Sequence, residues 1–552
     1  MKWGWPTAAP YLYWICTATF FACLILGGGT RSGFLSDAVL QFTAIPLLIL
    51  SLGNLSRPHA SANMHGAIVF CILMICVPLL QLVPLPPEIW MKLPKRSTIA
   101  DVYDVLGHGQ PYLPLSMSPR LTGLSLLSLI PPLAVFFATS LLNYGQRRTI
   151  SLVLVVVGIA SAILGLVQIA QGPNSGLRFF EFTNADDAVG FFANRNHLAA
   201  LLYVVAIFSA AWILNAVYPV SGQPIRAGAD TAAVFWAIAG FVSIVVLISG
   251  EAMARSRAGV VLMSIALAAA LVLASFDRRT RSGGLNATKL IGGVVIFGML
   301  FSAQYATYRI IERFDVDTLR DLRVTLNNNT LEAAIAFAPF GSGTGTFIPI
   351  YALFEKPSDL VLSFANRAHN DILEVCLETG ISGFVLMSMF LFWLVRRTIS
   401  VWRRVSEQAA SDQDIALQRA ATVALFLLAG HSFVDYPLRT AALMSVTAFA
   451  CGLLIEPPHN ADFAAAGKSA SRPFRTASTS MKDTIVHLPI YGSQQRSLPG
   501  GVERQPVGVR PRLSWGEKVE WPESWRKPAS ENATVVSNLP TRDKKNDGTP
   551  TE

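Results

Sequence analysis

Residues 150–170 read ISLVLVVVGIASAILGLVQIA, twenty-one residues without a single charge. A helix needs about 20 apolar residues to cross a bilayer, and in lipid its backbone must satisfy its own hydrogen bonds. Working outward, similar runs precede it at 11–28, 38–52, 67–83 and 121–142. Others follow at 198–217, 232–249, 258–276, 290–305, 381–395, 421–434 and 441–455. The pattern predicts an all-α polytopic membrane protein with about 12 transmembrane helices. Pro131 and Pro132 fall inside the fourth run and require a kink that neighbouring helices accommodate.

Composition supports this class. Of 552 residues, 52% are hydrophobic and 14% charged, whereas soluble domains carry roughly 25% charge. The net charge of +9 does not point to nucleic acid, because much of the Lys and Arg sits in short loops beside apolar runs, where it sets topology. Lys2 precedes the first run, and no A-x-A site follows, so this segment reads as an uncleaved first span. Five of the six cysteines lie within apolar runs, and Cys376 alone has no partner for an external disulfide.

With the N-terminus inside, the cytoplasmic loops carry Arg147, Arg148, Arg278, Arg279, Arg281, Arg396, Arg397, Arg403 and Arg404, as the positive-inside rule requires. The exception is 84–120, an external loop holding Lys92, Lys95, Arg96 and Arg120. Three regions follow: N-terminal helices at 1–149, a transmembrane core at 150–456 and a tail at 457–552. Two long external loops interrupt the core, at 171–197 and 306–380. The second has helical patches at 319–324 and 330–338 and a glycine loop, and reads as a helical external cap. The tail, rich in Pro, Ser, Arg and Lys without an apolar run, reads as disordered and cytoplasmic.

Charges on the external side that topology does not need are the candidates for chemistry. Arg178, Arg195, Arg255, Arg257 and Arg367 all fall there. Guanidinium forks converging at one membrane face suit a diphosphate, since each binds oxygens bidentately and keeps its charge. A second constellation runs from Arg367 to Gly383. As a helix it places Asn370, Glu374 and Glu378 on one stripe, with His369 at its start. A histidine beside Arg and Asn at a membrane edge can accept a proton near neutral pH.

His369-Asn370, nine residues, Gly380, two residues and Gly383 fit the pattern H-[NSQ]-x9-G-x-x-[GTY] of O-antigen ligases. The chain resembles the wider O-antigen ligase and polymerase superfamily elsewhere too: in Gly190 to His197, in Ser256-Arg257-Ala258-Gly259, in the glycine loop Pro339 to Phe347 and in the hairpin His431 to Arg439. These pieces occur in family order across 150–455.

The resemblance implies an inverting, metal-independent glycosyltransferase of the bacterial inner membrane, its site facing the periplasm, with no cofactor and no nucleic-acid partner. The donor would be a glycan on a polyprenyl (undecaprenyl) diphosphate, embedded among membrane lipids, and the acceptor a glycan or lipid A-core. Arg195 and Arg257, assisted by Arg178 or Arg255, would hold the diphosphate, and His369 would deprotonate or orient the acceptor. Asn370, Glu374 and Asp435 are further candidates to contact substrate, Glu374 and Asp435 alternatively to fix His369. Polymerisation of exopolysaccharide or O-antigen repeat units shares the donor chemistry. A secondary transporter is the alternative of another class, although the chain has no matching halves and few ionisable residues near mid-membrane. Asp315-Val316-Asp317 is formally a metal–nucleotide element but lies on the external side. The glycine loop reads either as a tight turn or as an anion-binding nest.

Overall fold

The computed structural model describes residues 9–30, 35–55, 62–217, 231–276, 293, 318–359, 365–404 and 411–457. The tail beyond Pro457, Asp315-Val316-Asp317 and, apart from Gly293, the ninth apolar run lie outside these residues. The other eleven runs fall in helices.

The first part of the chain forms α1 (Ala9–Leu26), α2 (Leu35–Leu55), α3 (Ala62–Leu82), α4 (Pro87–Trp90), α5 (Ser97–Val105), α6 (Pro119–Leu127), α7 (Ile130–Leu141) and α8 (Tyr144–Gln171). Next come α9 (Arg195–Val217), α10 (Thr231–Ala254), α11 (Arg257–Phe276), α12 (Thr318–Ala336) and α13 (Phe347–Tyr351). Last are α14 (Asp371–Arg403), α15 (Asp412–His431) and α16 (Ala441–Leu454). Among the described residues, seven helical segments are long and apolar enough to cross a membrane, and three shorter apolar helices accompany them. The protein is thus a mostly helical, multi-pass membrane protein.

Several local expectations are refined. The fourth run kinks at Ser128–Leu129, and Pro131 and Pro132 occupy the first turn of α7, where a missing backbone N–H leaves no bond unmade. The two patches expected at 319–324 and 330–338 are one continuous helix, α12. The reading had no strand, yet Pro84–Leu85 (β1) pairs antiparallel with Leu113–Pro114 (β2). Arg96, one of the cations that broke the positive-inside pattern, is buried and donates to the carbonyls of Pro114 and Leu115. Its charge serves the ribbon, which accounts for one of the four cations in the exception.

α9 is the central post. It is apolar all round and packs on α8, α10, α11 and α15, the expected pattern for a helix surrounded by helices. Small residues let the neighbours approach: a Cβ at Gly259 would meet Ala199 on α9 and the Glu251 carboxylate. A second, smaller core built from Leu326, Ala333, Phe337, Phe347, Ile350 and Leu377 lies under the cap helices.

Each end of the bundle has its own electrostatics. One end gathers the C-termini of α7, α14 and α16 and the N-termini of α8 and α15. There Arg147 is buried and donates to Thr139 O (2.9 Å), Ser140 O (2.8 Å) and Ile455 O (2.6 Å), closing the carbonyl ends of α7 and α16. Arg148 pairs with Asp414 at 3.0 Å, and Arg404 with Glu456. The other end gathers the starts of α9, α11, α14 and α16 and the finishes of α8, α10 and α15, where every candidate site residue lies.

Arg147→Met keeps much of the length but removes the shared donor of three carbonyls, of which Thr139 O retains the N–H of Leu142 at 3.2 Å. It should cost about 2–4 kcal/mol. Thermal unfolding in detergent should show the loss, while Arg148→Met, whose side chain is 39% exposed and makes a single ion pair, should move the transition less.

Candidate active site

The site begins where α14 begins. Asn370 is its N-cap, and the Asn370 Oδ1 accepts from the N–H groups of Ile372 and Leu373, each at 3.1 Å. Immediately before this cap, His369 has φ 53°, a left-handed conformation uncommon for a residue with a side chain. The turn directs the imidazole to the segment after α15, where His369 Nδ1 lies 2.7 Å from Asp435 Oδ1. Asp435 is 1% exposed and His369 27%. Burial pushes the Asp435 carboxyl up. The hydrogen bond and charge of His369, with His197 and His431 nearby, outweigh it and hold Asp435 well below the usual carboxylate range. A carboxylate only accepts, so the Nδ1 of His369 carries a proton and Nε2 is the ring nitrogen left to exchange one.

Tyr436 supports this pair. Its ring meets His369 and His197 edge-on, each with centroids 4.9 Å apart. Its hydroxyl accepts from Asn194 Nδ2 at 3.1 Å, and burial pushes its pKa up to about 12. Tyr436 therefore stays neutral and joins the histidine to the segment just before α9.

The acidic stripe of α14 faces inward. Arg439 reaches Asp371 at 3.2 Å, Glu374 at 3.5 Å and Glu378 at 3.0 Å, while Arg367 reaches Glu374 at 2.8 Å. Burial would lower the Arg439 pKa, but the three carboxylates raise it above its ordinary value. Glu374, fully buried, also accepts from Ala368 N at 2.9 Å. Its oxygens thus serve the turn carrying His369, as Asn370 serves the cap.

The glycine loop explains the spacing that follows. Gly380 interrupts α14 with φ 60° and ψ −141°, because the loop docks against it. A Cβ at Gly380 would strike the Pro339 carbonyl, and one at Gly341 the backbone of Glu378 and Gly380. The loop's N–H groups are taken by protein oxygens: Gly341 by Phe337 O, Ser342 by Leu377 O, Gly343 by Glu378 O and Thr344 by Gln81 Oε1, at 2.8–2.9 Å. Of the two readings, the tight turn stands. The loop clasps α14 to α3 and α12, and these amides are not free to form an anion nest.

The arginines converge on Asp187. Arg195 lies 2.6 Å from Asp187 Oδ2 and Arg255 3.7 Å from Oδ1. Arg255 is also left-handed, with φ 51°. Arg257 stands exposed at the start of α11. Arg178 differs: its guanidinium holds the carbonyls of Asn184 and Asp187, each at 3.1 Å, and that of Ala185, so it braces the loop carrying Asp187. Among the described residues, no group of three His, Cys, Asp or Glu is placed to hold a metal ion.

Sequence reading did not single out Asp187, Asn194 or Tyr436 and left Arg439 without a role. Three carboxylates on one buried stripe demand a nearby cation, which was the available signal for Arg439. Tyr436 and Asn194 act only through tertiary contact.

The family model for O-antigen ligase matches residues 241–388, a stretch holding Arg255, Arg257, the glycine loop and His369. No curated protein matches the chain.

Arg439→Gln would leave three buried carboxylates facing a single guanidinium, Arg367. It should destabilise the cap by about 3–5 kcal/mol, seen as earlier proteolysis of the segment around α12 to α14 while the helices around α9 remain protected. Equal resistance in both proteins would show that Arg439 does not hold the acidic stripe.

Proposed function

We propose, from the chain's membership of the O-antigen ligase superfamily through residues 241–388, that it transfers a glycan from a polyprenyl diphosphate, the undecaprenyl carrier, to an acceptor hydroxyl. Glycan transfer of the O-antigen ligase type is the family's general activity. The finer reading adds a bacterial inner membrane, a site on its periplasmic face and lipid A-core as acceptor. Charge supports this side, since the site end lies opposite the end carrying Arg147, Arg148, Arg397 and Arg404.

One observation carries the chemistry: the 2.7 Å contact that fixes the tautomer of His369, in a turn linked through Tyr436 and Asn194 to the arginine cluster. The acceptor hydroxyl gives its proton to His369 Nε2, and its oxygen attacks the anomeric carbon. The bond from that carbon to the diphosphate oxygen breaks in the same displacement, inverting the centre. Arg195 and Arg257, with Arg255, take up the charge on the departing diphosphate. Asp435 holds the imidazole and stabilises it once protonated. Asn370, Glu374 and Arg178 are assigned to holding the turn and the loop in position instead of touching sugar.

A deletion strain tests the acceptor. Bare lipid A-core with lipid-linked long chains indicates the ligase. Loss of high-mass polysaccharide with single repeat units retained indicates polymerisation at the same site.

His369→Ala should retain donor binding while single-turnover transfer falls by roughly 10²- to 10⁴-fold, whereas Arg195→Ala should weaken both. Full transfer by a stably folded His369→Ala protein would remove the histidine from the chemistry. Arg255→Gly separates side chain from backbone. Glycine suits a left-handed turn better, so the melting temperature should hold or rise while the donor KM increases about tenfold. An unchanged KM would leave Arg255 outside the donor site.

A further inference from the structure

We propose that Asp187 is a positioning residue that fixes the spacing between Arg195 and Arg255, so that the pair selects a diphosphate over a monophosphate; the inference rests on the donor-site reading above. Each carboxylate oxygen faces a different guanidinium, Oδ2 to Arg195 at 2.6 Å and Oδ1 to Arg255 at 3.7 Å. The two arginines come from separate elements, the start of α9 and the turn between α10 and α11.

Asp187 is itself fixed from several directions. Its N–H donates to Asn184 O at 3.2 Å, and its carbonyl accepts from Arg178 at 3.1 Å. The next residue, Ala188, donates to Met253 O at 3.0 Å, pinning the loop to the last turn of α10 that leads into Arg255. Asn184 Oδ1 accepts from the Arg195 N–H at 3.0 Å, pinning the same loop to α9.

Exposure grades outward. The Asp187 side chain is 9% exposed, Arg195 29% and Arg255 42%, so the carboxylate lies behind and the guanidinium groups stand in front. Each contact uses one terminal nitrogen of the five-donor fork, leaving further donors for an outer ligand.

Electrostatics argues that the role is geometric. A carboxylate among cations lowers the attraction for every anion, so a site built only for affinity would omit it. Holding two forks at a set separation adds to charge a geometric match, one guanidinium for each of two phosphoryl groups, that an anion with a single group cannot make. Removing the charge alone should strengthen binding of both anions, and of the more highly charged pyrophosphate at least as much as of orthophosphate, whereas losing the spacing should reduce their ratio.

The test uses the full-length protein in nanodiscs, with inorganic pyrophosphate and orthophosphate as probes and calorimetric affinities for each. Wild type should prefer pyrophosphate. In Asp187→Asn that preference should fall about tenfold, the effect of one misplaced charge-assisted contact, with the melting temperature retained. Asp187→Glu keeps the charge with one more methylene; it should leave orthophosphate affinity near wild type and still lower the ratio, which charge alone would not do. An unchanged ratio in both variants would overturn the assignment, as would a parallel loss of both affinities with early melting. A wild-type protein that binds orthophosphate as well as pyrophosphate would overturn the diphosphate-site reading itself, and the inference with it.

Discussion

The guanidinium of Arg439 is the interaction on which the site depends. It joins Asp371, Glu374 and Glu378 of α14 to the segment that also carries Asp435 and Tyr436. The histidine is on one side of this joint and its carboxylate partner on the other. Such a buried network adds little net stability over a well-packed apolar joint, because desolvation offsets most of the Coulomb attraction. What it provides is register: unlike an apolar contact, it has one geometry in which all three carboxylates meet a guanidinium, and that geometry sets His369 2.7 Å from Asp435.

The arginine cluster follows the same logic with the signs reversed. Asp187 compensates two guanidinium groups from behind, while Arg178 holds the Asp187 loop through backbone carbonyls. Acidic stripe and basic cluster are both assembled from helix termini, the places where α9, α11, α14 and α16 start and α10 and α15 finish. Helix ends bring several chain segments together at one bilayer face without exposing unpaired backbone to lipid. The site therefore needs no insertion into the spanning part of the bundle, and the glycine loop can clasp α14 from outside it.

Much of the helical scaffold was legible because a membrane-crossing helix must be apolar over most of its length, a requirement visible one residue at a time. The β1–β2 ribbon was not, since two paired residues carry no periodic signal. His369 and the exposed arginines stood out as polar residues that topology did not require. Arg96 looked equally unexplained and proved to be a ribbon anchor, so unexplained charge marks either a ligand site or a buried carbonyl, and only the fold separates them. The roles of Asn370 and Glu374 were obscured for a related reason. A stripe at i and i+4 defines a helix face but not whether that face meets solvent or an arginine 65 residues away, as Glu374 meets Arg439.

The two left-handed residues at the site carry one further step. At His369 and Arg255 the backbone takes φ near 50°, where a side chain costs of order 1 kcal/mol or more and glycine almost nothing. The Arg255 turn closes α10, a position at which glycine is the ordinary solution, and the His369 turn opens α14. Here the side chains occupying them are the ring bound to Asp435 and one of the two guanidinium groups bound to Asp187. Backbone strain at these points is thus coupled to the aim of the side chain: the left-handed turn changes the direction in which Cβ leaves the chain, and a relaxed helical φ would rotate the imidazole away from its carboxylate. The surrounding hydrogen bonds, the Asn370 cap on one side and the Ala252 carbonyl accepting from the Arg255 N–H on the other, hold both turns in place. Both polar clusters of the site therefore lean on the same device, a strained residue clamped between a helix end and a buried counter-charge.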